Sequence, residues 1–227
     1  MAETIRIKSA AEDGFTFSAL HAQPQGRRRG GVIVIQEVFG LDQYVQADVA
    51  RWSALGFEVV APSLYDRVAP GFVAEHDEAG YAAAFATVQK ARPADALADI
   101  AACIAFLRER GPVFIVGYCY GGTMVWRASA NLEGLAAGSS YYGGGVADPA
   151  DLALNNPVIC HLGRKDAHIP AEEVSAKIKA AHPEVPVYIY ENSGHGFNND
   201  GRPDSNADDA RLARERTLAL FEAHGAR

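Results

Sequence analysis

The sequence is poor in cysteine and has no excess of positive charge. It contains 3 cysteines in 227 residues, none of them in a C-x-x-C pair. A disulfide framework or a zinc ribbon is therefore not expected, and a reducing cytoplasm is the expected location. The 21 Lys and Arg residues stand against 28 Asp and Glu residues, a formal net charge of −7. This charge argues against nucleic acid or an anionic membrane as a partner.

Long hydrophobic runs are also missing. No apolar stretch approaches the roughly 20 residues that cross a bilayer, and the polar residues 1–8 lack the apolar segment of a secretory signal. The hydrophobic content of 48% and charged content of 22% are those of an ordinary globular protein. We therefore expect one domain over residues 1–227, without a membrane partner, as a monomer or small homo-oligomer.

Strand-type and helix-type segments alternate along the chain. Residues 4–8 and 15–22 alternate in polarity, which predicts a β-hairpin. The further predicted strands are 31–35, 57–62, 113–116, 135–142, 157–162 and 185–190. The predicted helices are 43–55, about 75–90, 93–110, 170–181 and about 207–223, with another after residue 119. This pattern predicts an α/β fold: a mainly parallel, doubly wound sheet with an N-terminal antiparallel hairpin and helices on both faces.

The strand at 113–116 leads into a sequence with a special turn. It is followed by Gly117-Tyr118-Cys119-Tyr120-Gly121 and then by a segment of helical type. A strand that turns directly into a helix needs small residues two positions before and after its apex, and it exposes the apex side chain above the sheet. The helix start also favours negative charge there. Cys119 is therefore a candidate nucleophile, although Gly-x-Cys-x-Gly alone is a weak signal.

Other strand ends carry polar residues that fit the same chemistry. Asp166 follows the strand at 157–162, and His195 follows the strand at 185–190. Ligands bind at the carboxyl ends of strands in open parallel sheets, so these side chains are expected near Cys119. Nucleophile, acid and histidine in this chain order match the triad of an α/β-hydrolase.

Each member has a chemical reason to be there. A thiol with a pKa near 8.5 is mostly protonated at neutral pH. His195 can take the proton of Cys119 and return it to the leaving alkoxide. Asp166 would hold the other imidazole nitrogen and stabilise the imidazolium. The backbone N–H groups of Tyr120 and Val38 are the candidate donors to the developing oxyanion.

Simpler readings exist for single residues. Asp166 could be a turn residue, and His195 could be an exposed loop histidine. His161 and His168 are rivals for the histidine role, but His161 lies inside a strand and His168 follows none. The other thiols, expected in the core, are Cys103 and Cys160. No metal-ligand spacing is evident, so neither a metal nor a cofactor is expected. The prediction depends on the ordered set.

Four stretches together resemble the dienelactone hydrolase (carboxymethylenebutenolidase) family of the α/β-hydrolase superfamily. They are Gln36-Glu37-Val38-Phe39-Gly40, Gly117-Tyr118-Cys119-Tyr120-Gly121-Gly122, Gly163-Arg164-Lys165-Asp166 with Ile169-Pro170, and Gly194-His195-Gly196-Phe197. The resemblance covers nearly the whole chain. It implies a Cys-His-Asp triad that opens a lactone or ester through an acyl-thioester, as in the conversion of dienelactone to maleylacetate.

The resemblance also implies a role for Glu37. In this family the acid at that position lies against the nucleophile and controls its protonation; the alternative is a buried ion pair that holds the loop. Family members that act on the carboxylated dienelactone hold its carboxylate with arginines, one of them shortly after the catalytic histidine. Here no Arg follows His195 until Arg202, so Arg67 and Arg202 are the candidate replacements. The candidate apolar substrate contacts are Phe39 and Phe197.

Three functions fit these observations. The first is a hydrolase of lactones or small esters, similar to dienelactone hydrolase. The second is a broad-range carboxylesterase for uncharged esters with the same triad. The third is a non-catalytic ligand-binding or redox-sensing protein in which Cys119 is only oxidised. The complete triad favours the two enzymes over the third reading.

Overall fold

The structure, a computed structural model, describes residues 2–227 and contains one eight-stranded sheet. The strands are β1 (Glu3–Lys8), β2 (Thr16–Ala22), β3 (Gly30–Ile35), β4 (Phe57–Pro62), β5 (Val113–Tyr118), β6 (Ala137–Tyr141), β7 (Val158–Gly163) and β8 (Val187–Tyr190). Their spatial order is β1-β2-β4-β3-β5-β6-β7-β8. Strand β2 runs antiparallel to β1 and β4, and the remaining neighbours are parallel. The predicted mainly parallel sheet with an N-terminal hairpin is confirmed.

Within residues 2–227, five α-helices lie between strands and a sixth follows the last strand. They are α1 (Gln43–Ala54), α2 (Glu78–Val88), α3 (Pro93–Arg108), α4 (Tyr120–Asn131), α5 (Ala171–Ala181) and α6 (Ala207–Ala223). Within residues 2–227 no helix has the length and apolar character needed to span a membrane. Two helices begin at residues typical of helix starts. Asp42 caps α1 by accepting hydrogen bonds from the N–H groups of Tyr44 and Val45. Pro93 is the first residue of α3.

Helices cover both faces of the sheet. Phe114 of β5 stacks on Phe221 of α6 at 4.4 Å between ring centroids, and Trp52 of α1 packs against the same phenylalanine. Ile115, the residue after Phe114 in β5, points to the opposite face, because alternate side chains of a strand face opposite sides. It lies near Gly138 of β6 and Val125 of α4. The central strands are therefore buried on both faces, in agreement with their unbroken apolar sequences.

The parallel strands bring distant parts of the chain to one edge. Strands β3, β5, β7 and β8 all run in the same direction, so the segments that leave them meet at the carboxyl end of the sheet. Those segments carry Glu37, Cys119, Asp166 and His195. The segment after β4 lies above the same edge and includes α2, which begins later than the predicted residue 75.

Candidate active site

Cys119 lies at the apex of the turn between β5 and α4. Its backbone has φ 54° and ψ −113°, a strained conformation for a residue with a side chain. The turn is possible because its flanking residues are glycines. A Cβ atom at Gly117 would lie 2.2 Å from the carbonyl oxygen of Gly121, and one at Gly121 would lie 2.5 Å from the carbonyl oxygen of Ile35. The Cys119 side chain is consequently half-buried and lines a cavity.

Asp166 and His195 form a hydrogen-bonded pair at this edge. The Nδ1 atom of His195 lies 2.7 Å from Oδ2 of Asp166. The other carboxylate oxygen, Oδ1, accepts hydrogen bonds from the backbone N–H groups of His168 at 2.8 Å and Ile169 at 3.0 Å. All of these acceptor contacts favour the charged carboxylate. They outweigh burial, which would raise the pKa of Asp166, so its pKa is lowered.

The pKa of His195 is raised strongly. Burial opposes the charged imidazolium, but the hydrogen bond with Asp166 and the interaction with the Cys119 side chain prevail, and they raise the pKa of His195 to about 10. His195 and Cys119 line the same cavity. The cationic imidazolium is therefore the form of His195 that this site favours.

The backbone N–H groups of Tyr120 and Val38 belong to residues that line the cavity and have no hydrogen-bond partner among residues 2–227. Tyr120 is the first residue of α4, where N–H groups have no partner within the helix, and Val38 lies in the segment after β3. The segment around Val38 is held in place by an antiparallel bridge between Gly40 and Val73.

Glu37 is buried beside the same cavity. Its side chain is 4% exposed, its Oε1 accepts a hydrogen bond from Nδ2 of Asn199 at 3.2 Å, and its Oε2 lies 3.7 Å from Nη1 of Arg202. Among residues 2–227, Oε2 has no hydrogen-bond partner. Burial raises the pKa of Glu37, and the positive charge of Arg202 only partly opposes this. Glu37 thus combines a raised pKa with a place on the cavity that Cys119 also lines.

The cavity has a volume of about 540 Å³ and is mostly apolar. Its larger side chains are Val38, Phe39, Tyr81, Phe85, Tyr120, Tyr142 and Ile169, and neither Arg nor Lys lines it. Phe39 is one of these lining residues, and its contact with a substrate stays a prediction. Tyr81 and Phe85 come from α2.

The structure does not bring Arg67 or Phe197 into this cavity. The guanidinium of Arg67 pairs with Asp13 and Asp99 and lies 4.1 Å from the centroid of the Phe15 ring. Phe197 is fully buried and packs among tyrosines. The predicted substrate contacts of these two residues are therefore corrected, because their side chains are used in packing elsewhere. Arg202 contacts two residues of the cavity, Glu37 and Tyr81, so its guanidinium is already engaged. It donates a hydrogen bond to the hydroxyl of Tyr81 at 3.1 Å.

One group of possible metal ligands occurs within residues 2–227. Glu37, Asp42 and His76 place one ligand atom each within 4.8 Å of one another. Their separation along the sequence gave no metal-ligand spacing to detect. Asp42 Oδ2 already lies 2.6 Å from Nε2 of His76, and Glu37 is engaged by Asn199 and Arg202. Because Asp42 and His76 already bind each other, we assign no metal to this group.

Known structures share this fold. An esterase from Pyrococcus furiosus superposes with a TM-score of 0.70 at 11% identity, over 99% of this chain and 92% of that one. A Klebsiella pneumoniae protein classed as a dienelactone hydrolase superposes with a TM-score of 0.82 at 27% identity, over 98% of this chain and 99% of that one. The fold and the site geometry define an α/β-hydrolase-fold protein.

The sequence comparisons identify the family. The model of the dienelactone hydrolase family matches residues 17–225. The carboxymethylenebutenolidase of Pseudomonas putida is 30% identical over 96% of this chain and 95% of its own length. The chain belongs to the dienelactone hydrolase family and is a hydrolase of that type.

Proposed function

We propose that the protein hydrolyses a lactone or small carboxylic ester through a cysteine acyl-enzyme. The observation that carries this proposal is the 2.7 Å contact between His195 and Asp166 beside Cys119, at the apex of a strained strand–helix turn. The sulfur attacks the carbonyl carbon, and the N–H groups of Val38 and Tyr120 stabilise the oxyanion. The His195 imidazolium then protonates the leaving alkoxide, and neutral His195 accepts a proton from the water that hydrolyses the thioester.

Glu37 has a separate role in this proposal. The thiol is protected when protonated, and Glu37 accepts its proton when a substrate displaces the surrounding groups. The raised pKa of Glu37 and its place on the cavity support this role. A Glu37→Gln variant keeps the shape but cannot accept the proton, so we expect a lower kcat/KM with a weaker pH dependence between pH 5 and 8.

Trapping of the acyl-enzyme tests the cysteine mechanism. Quenching the reaction with p-nitrophenyl acetate in acid should leave one acetyl group on Cys119, detectable by mass spectrometry of peptides. Cys119→Ala should remove both the acetyl group and turnover. Cys160→Ala is the matched control, because Cys160 is buried in β7 and burial raises its pKa to about 12. Acetylation that survives in Cys119→Ala would contradict the proposal.

The cavity favours uncharged substrates as a second candidate specificity. A dienelactone carries a carboxylate, yet the cavity has no Arg or Lys lining and Arg202 is held by Glu37 and Tyr81. A broad-range carboxylesterase acting on neutral esters fits the apolar walls. The ratio of kcat/KM for a carboxylated enol-lactone and for a neutral p-nitrophenyl ester tests this. A charged hydrogen bond is worth about 1.5–3 kcal/mol, so a carboxylate preference above about tenfold would favour the dienelactone instead.

Two further expectations belong to this proposal. We propose that residues 1–227 act as one domain, which the continuous eight-stranded sheet and the family match over residues 17–225 support. We also propose a cytoplasmic location, for which the support is the low cysteine count.

A further inference from the structure

Phe85 is an aromatic residue of the cavity that is largely in contact with solvent. It is 55% exposed, whereas Phe39, on the same cavity, is 2% exposed. Among the exposed large apolar residues of 2–227, only Phe85 lines the cavity. Large apolar side chains of globular proteins are more often buried. Packing in the core therefore does not account for a phenylalanine at this position.

Helix formation does not account for Phe85 either. Residues 79–88 of α2 contain no charged side chain, and five of them are alanines. Alanine is the best helix former, so the alanines favour α2 whatever they contact. Phenylalanine is a weaker helix former, and polar residues are usual on the solvent side of a helix. The exposed ring of Phe85 therefore points to a function outside the folding of the chain.

Packing on its buried side holds α2 in place. Ala84 is fully buried and belongs to one apolar cluster with Phe39. The ring centroids of Tyr81 and Phe39 lie 4.8 Å apart, in an edge-to-face arrangement. A Cβ atom at Gly80 would lie 1.8 Å from the carbonyl oxygen of Glu75, so the start of α2 packs closely against the chain before it. The cavity-lining side chains of α2 are therefore carried by a fixed helix.

Phe39, Tyr81 and Phe85 form an aromatic wall of the cavity. The rings of Tyr81 and Phe85 are nearly parallel, with 22° between their planes and 6.4 Å between their centroids. The hydroxyl of Tyr81 accepts a hydrogen bond from Nη2 of Arg202 at 3.1 Å, which satisfies the polar end of that ring. The aromatic wall runs from buried Phe39 through half-buried Tyr81 to exposed Phe85. It therefore offers a continuous apolar surface from the interior to the solvent.

The aromatic wall suits an apolar ligand group. Burial of apolar surface is favourable, and a chain or ring that covered Phe85 would remove its exposed surface from water. A carboxylate in the same place would lose hydration, and neither Arg nor Lys lines the cavity to compensate. The cavity volume of about 540 Å³ leaves room for a group larger than acetyl.

We propose that Phe85 determines specificity for esters that carry an apolar chain or an aromatic ring. The inference rests on the proposed function, since the ester carbonyl group must lie at Cys119. The apolar group then lies along the aromatic wall and covers the ring of Phe85. Phe85 contacts the substrate away from the reacting atoms, so it contributes to binding and takes no part in proton transfer or acylation.

A series of p-nitrophenyl esters of increasing chain length tests this role. For the wild type, kcat/KM should rise from acetate through butyrate to hexanoate, by up to about fourfold for each methylene group buried. In Phe85→Ala, the ratio of kcat/KM for hexanoate to that for acetate should fall by about tenfold, because contact worth about two methylene groups is lost. The loss should appear in KM for hexanoate, since this contact is the same in the ground and transition states.

A second series shows which side of the ester lies on the aromatic wall. Methyl, butyl and hexyl acetate carry the chain on the alcohol, whereas the p-nitrophenyl esters vary the acid. A loss of chain-length preference in Phe85→Ala in either series supports the proposal and identifies the side that Phe85 contacts. An unchanged preference in both series would overturn it.

Two control variants separate contact with the substrate from other effects. Phe85→Leu keeps an apolar side chain and should retain most of the wild-type preference for hexanoate. Phe106→Ala is the matched control, because Phe106 of α3 is also exposed, at 38%, but does not line the cavity. Its chain-length ratio should equal that of the wild type. Urea midpoints of all three variants check that they are folded.

A binding measurement separates this inference from the proposed function. The p-nitroanilide of hexanoic acid, an amide analogue of the ester, can be titrated into Cys119→Ala by calorimetry. Adding Phe85→Ala should raise its Kd by about tenfold, and an unchanged Kd would overturn the role of Phe85. A raised Kd, together with a wild-type protein that forms no acyl group on Cys119, would support the role of Phe85 and contradict the cysteine mechanism.

Discussion

The protein has a cysteine and a histidine in each of two contrasting regions. At the carboxyl edge of the sheet, Cys119 and His195 line the cavity and Asp166 holds the imidazole. Inside β7, Cys160 and His161 are adjacent in sequence and fully enclosed. Among residues 2–227 the ring nitrogens of His161 have only hydroxyl groups as hydrogen-bond partners, Nδ1 at 2.9 Å from that of Tyr190 and Nε2 at 3.2 Å from that of Thr217.

The pKa values of the two histidines are shifted in opposite directions. Burial, and then the positive charge of Arg216, lower the pKa of His161 to about 3, whereas the carboxylate and sulfur partners raise the pKa of His195 to about 10. Burial acts in the same direction at both sites. The difference therefore comes from the partners of each imidazole, and residue type alone does not make a site reactive.

Replacing His195 and replacing His161 should give the largest difference in activity between the two regions. His195→Gln should lower kcat/KM by about 10³–10⁴-fold, because the acid and base steps are both lost. His161→Gln should keep its activity and lose about 1–3 kcal/mol of stability, since its buried hydroxyl partners are disturbed. Steady-state kinetics and urea titrations of both variants measure this. Loss of activity in both variants would contradict the distinction between a reactive region at the sheet edge and an inert one in β7.

Thiol alkylation should separate the two cysteines by a large factor. Iodoacetamide at pH 7 should modify Cys119 at least about 100 times faster than Cys160, because only a thiolate is nucleophilic and Cys160 is buried with a raised pKa. Peptide mass spectrometry after timed quenching gives both rates. Similar rates in the folded protein would show that the turn does not activate Cys119.

Removing the charge of Asp166 should have a smaller effect. Asp166→Asn keeps the shape of the side chain but favours the wrong imidazole tautomer, so we expect kcat to fall by about 10²-fold or more with KM nearly unchanged. NMR titration of the His195 ring should show a lowered pKa. An unchanged His195 pKa in this variant would mean that Asp166 is not its main partner.

The pH dependence of stability should differ in sign between the two histidines, with the smallest effect. The raised pKa of His195 stabilises the fold below the unfolded pKa of about 6.5, and this contribution is lost as pH rises toward about 10. The lowered pKa of His161 contributes stability above about 6.5 that is lost as pH falls toward about 3. Urea midpoints of wild type, His195→Gln and His161→Gln between pH 4 and 10 would reveal both trends.

The sequence was most informative where the signals are local. The alternation of strand-type and helix-type segments was sufficient to predict the fold, and the chain order of Cys119, Asp166 and His195 was sufficient to predict that all three lie at one edge of the sheet. Parallel strands carry residues to a common edge whatever their distance in sequence. Strand ends were less certain: β8 begins at Val187, where the sequence predicted residue 185, because edge residues depend on pairing partners.

Side-chain direction outside regular structure could not be predicted. Phe197 follows the histidine motif, as Phe39 follows Val38, yet only Phe39 lines the cavity. Loop residues have no fixed periodicity, so nothing in the sequence separates these two phenylalanines. Arg67 is held by carboxylate partners from distant segments, Asp13 and Asp99.

The glycines around the turn have a consequence for laboratory evolution of this enzyme. A methyl group at Gly117, Gly121, Gly122 or Gly143 would meet backbone atoms at 2.2–2.7 Å, which no rotation of a side chain relieves. In libraries that diversify this stretch, folded variants should therefore carry their substitutions almost entirely at Cys119. The turn should tolerate replacement of the Cys119 sulfur by oxygen far more readily than replacement of any of these glycines by a residue with a side chain.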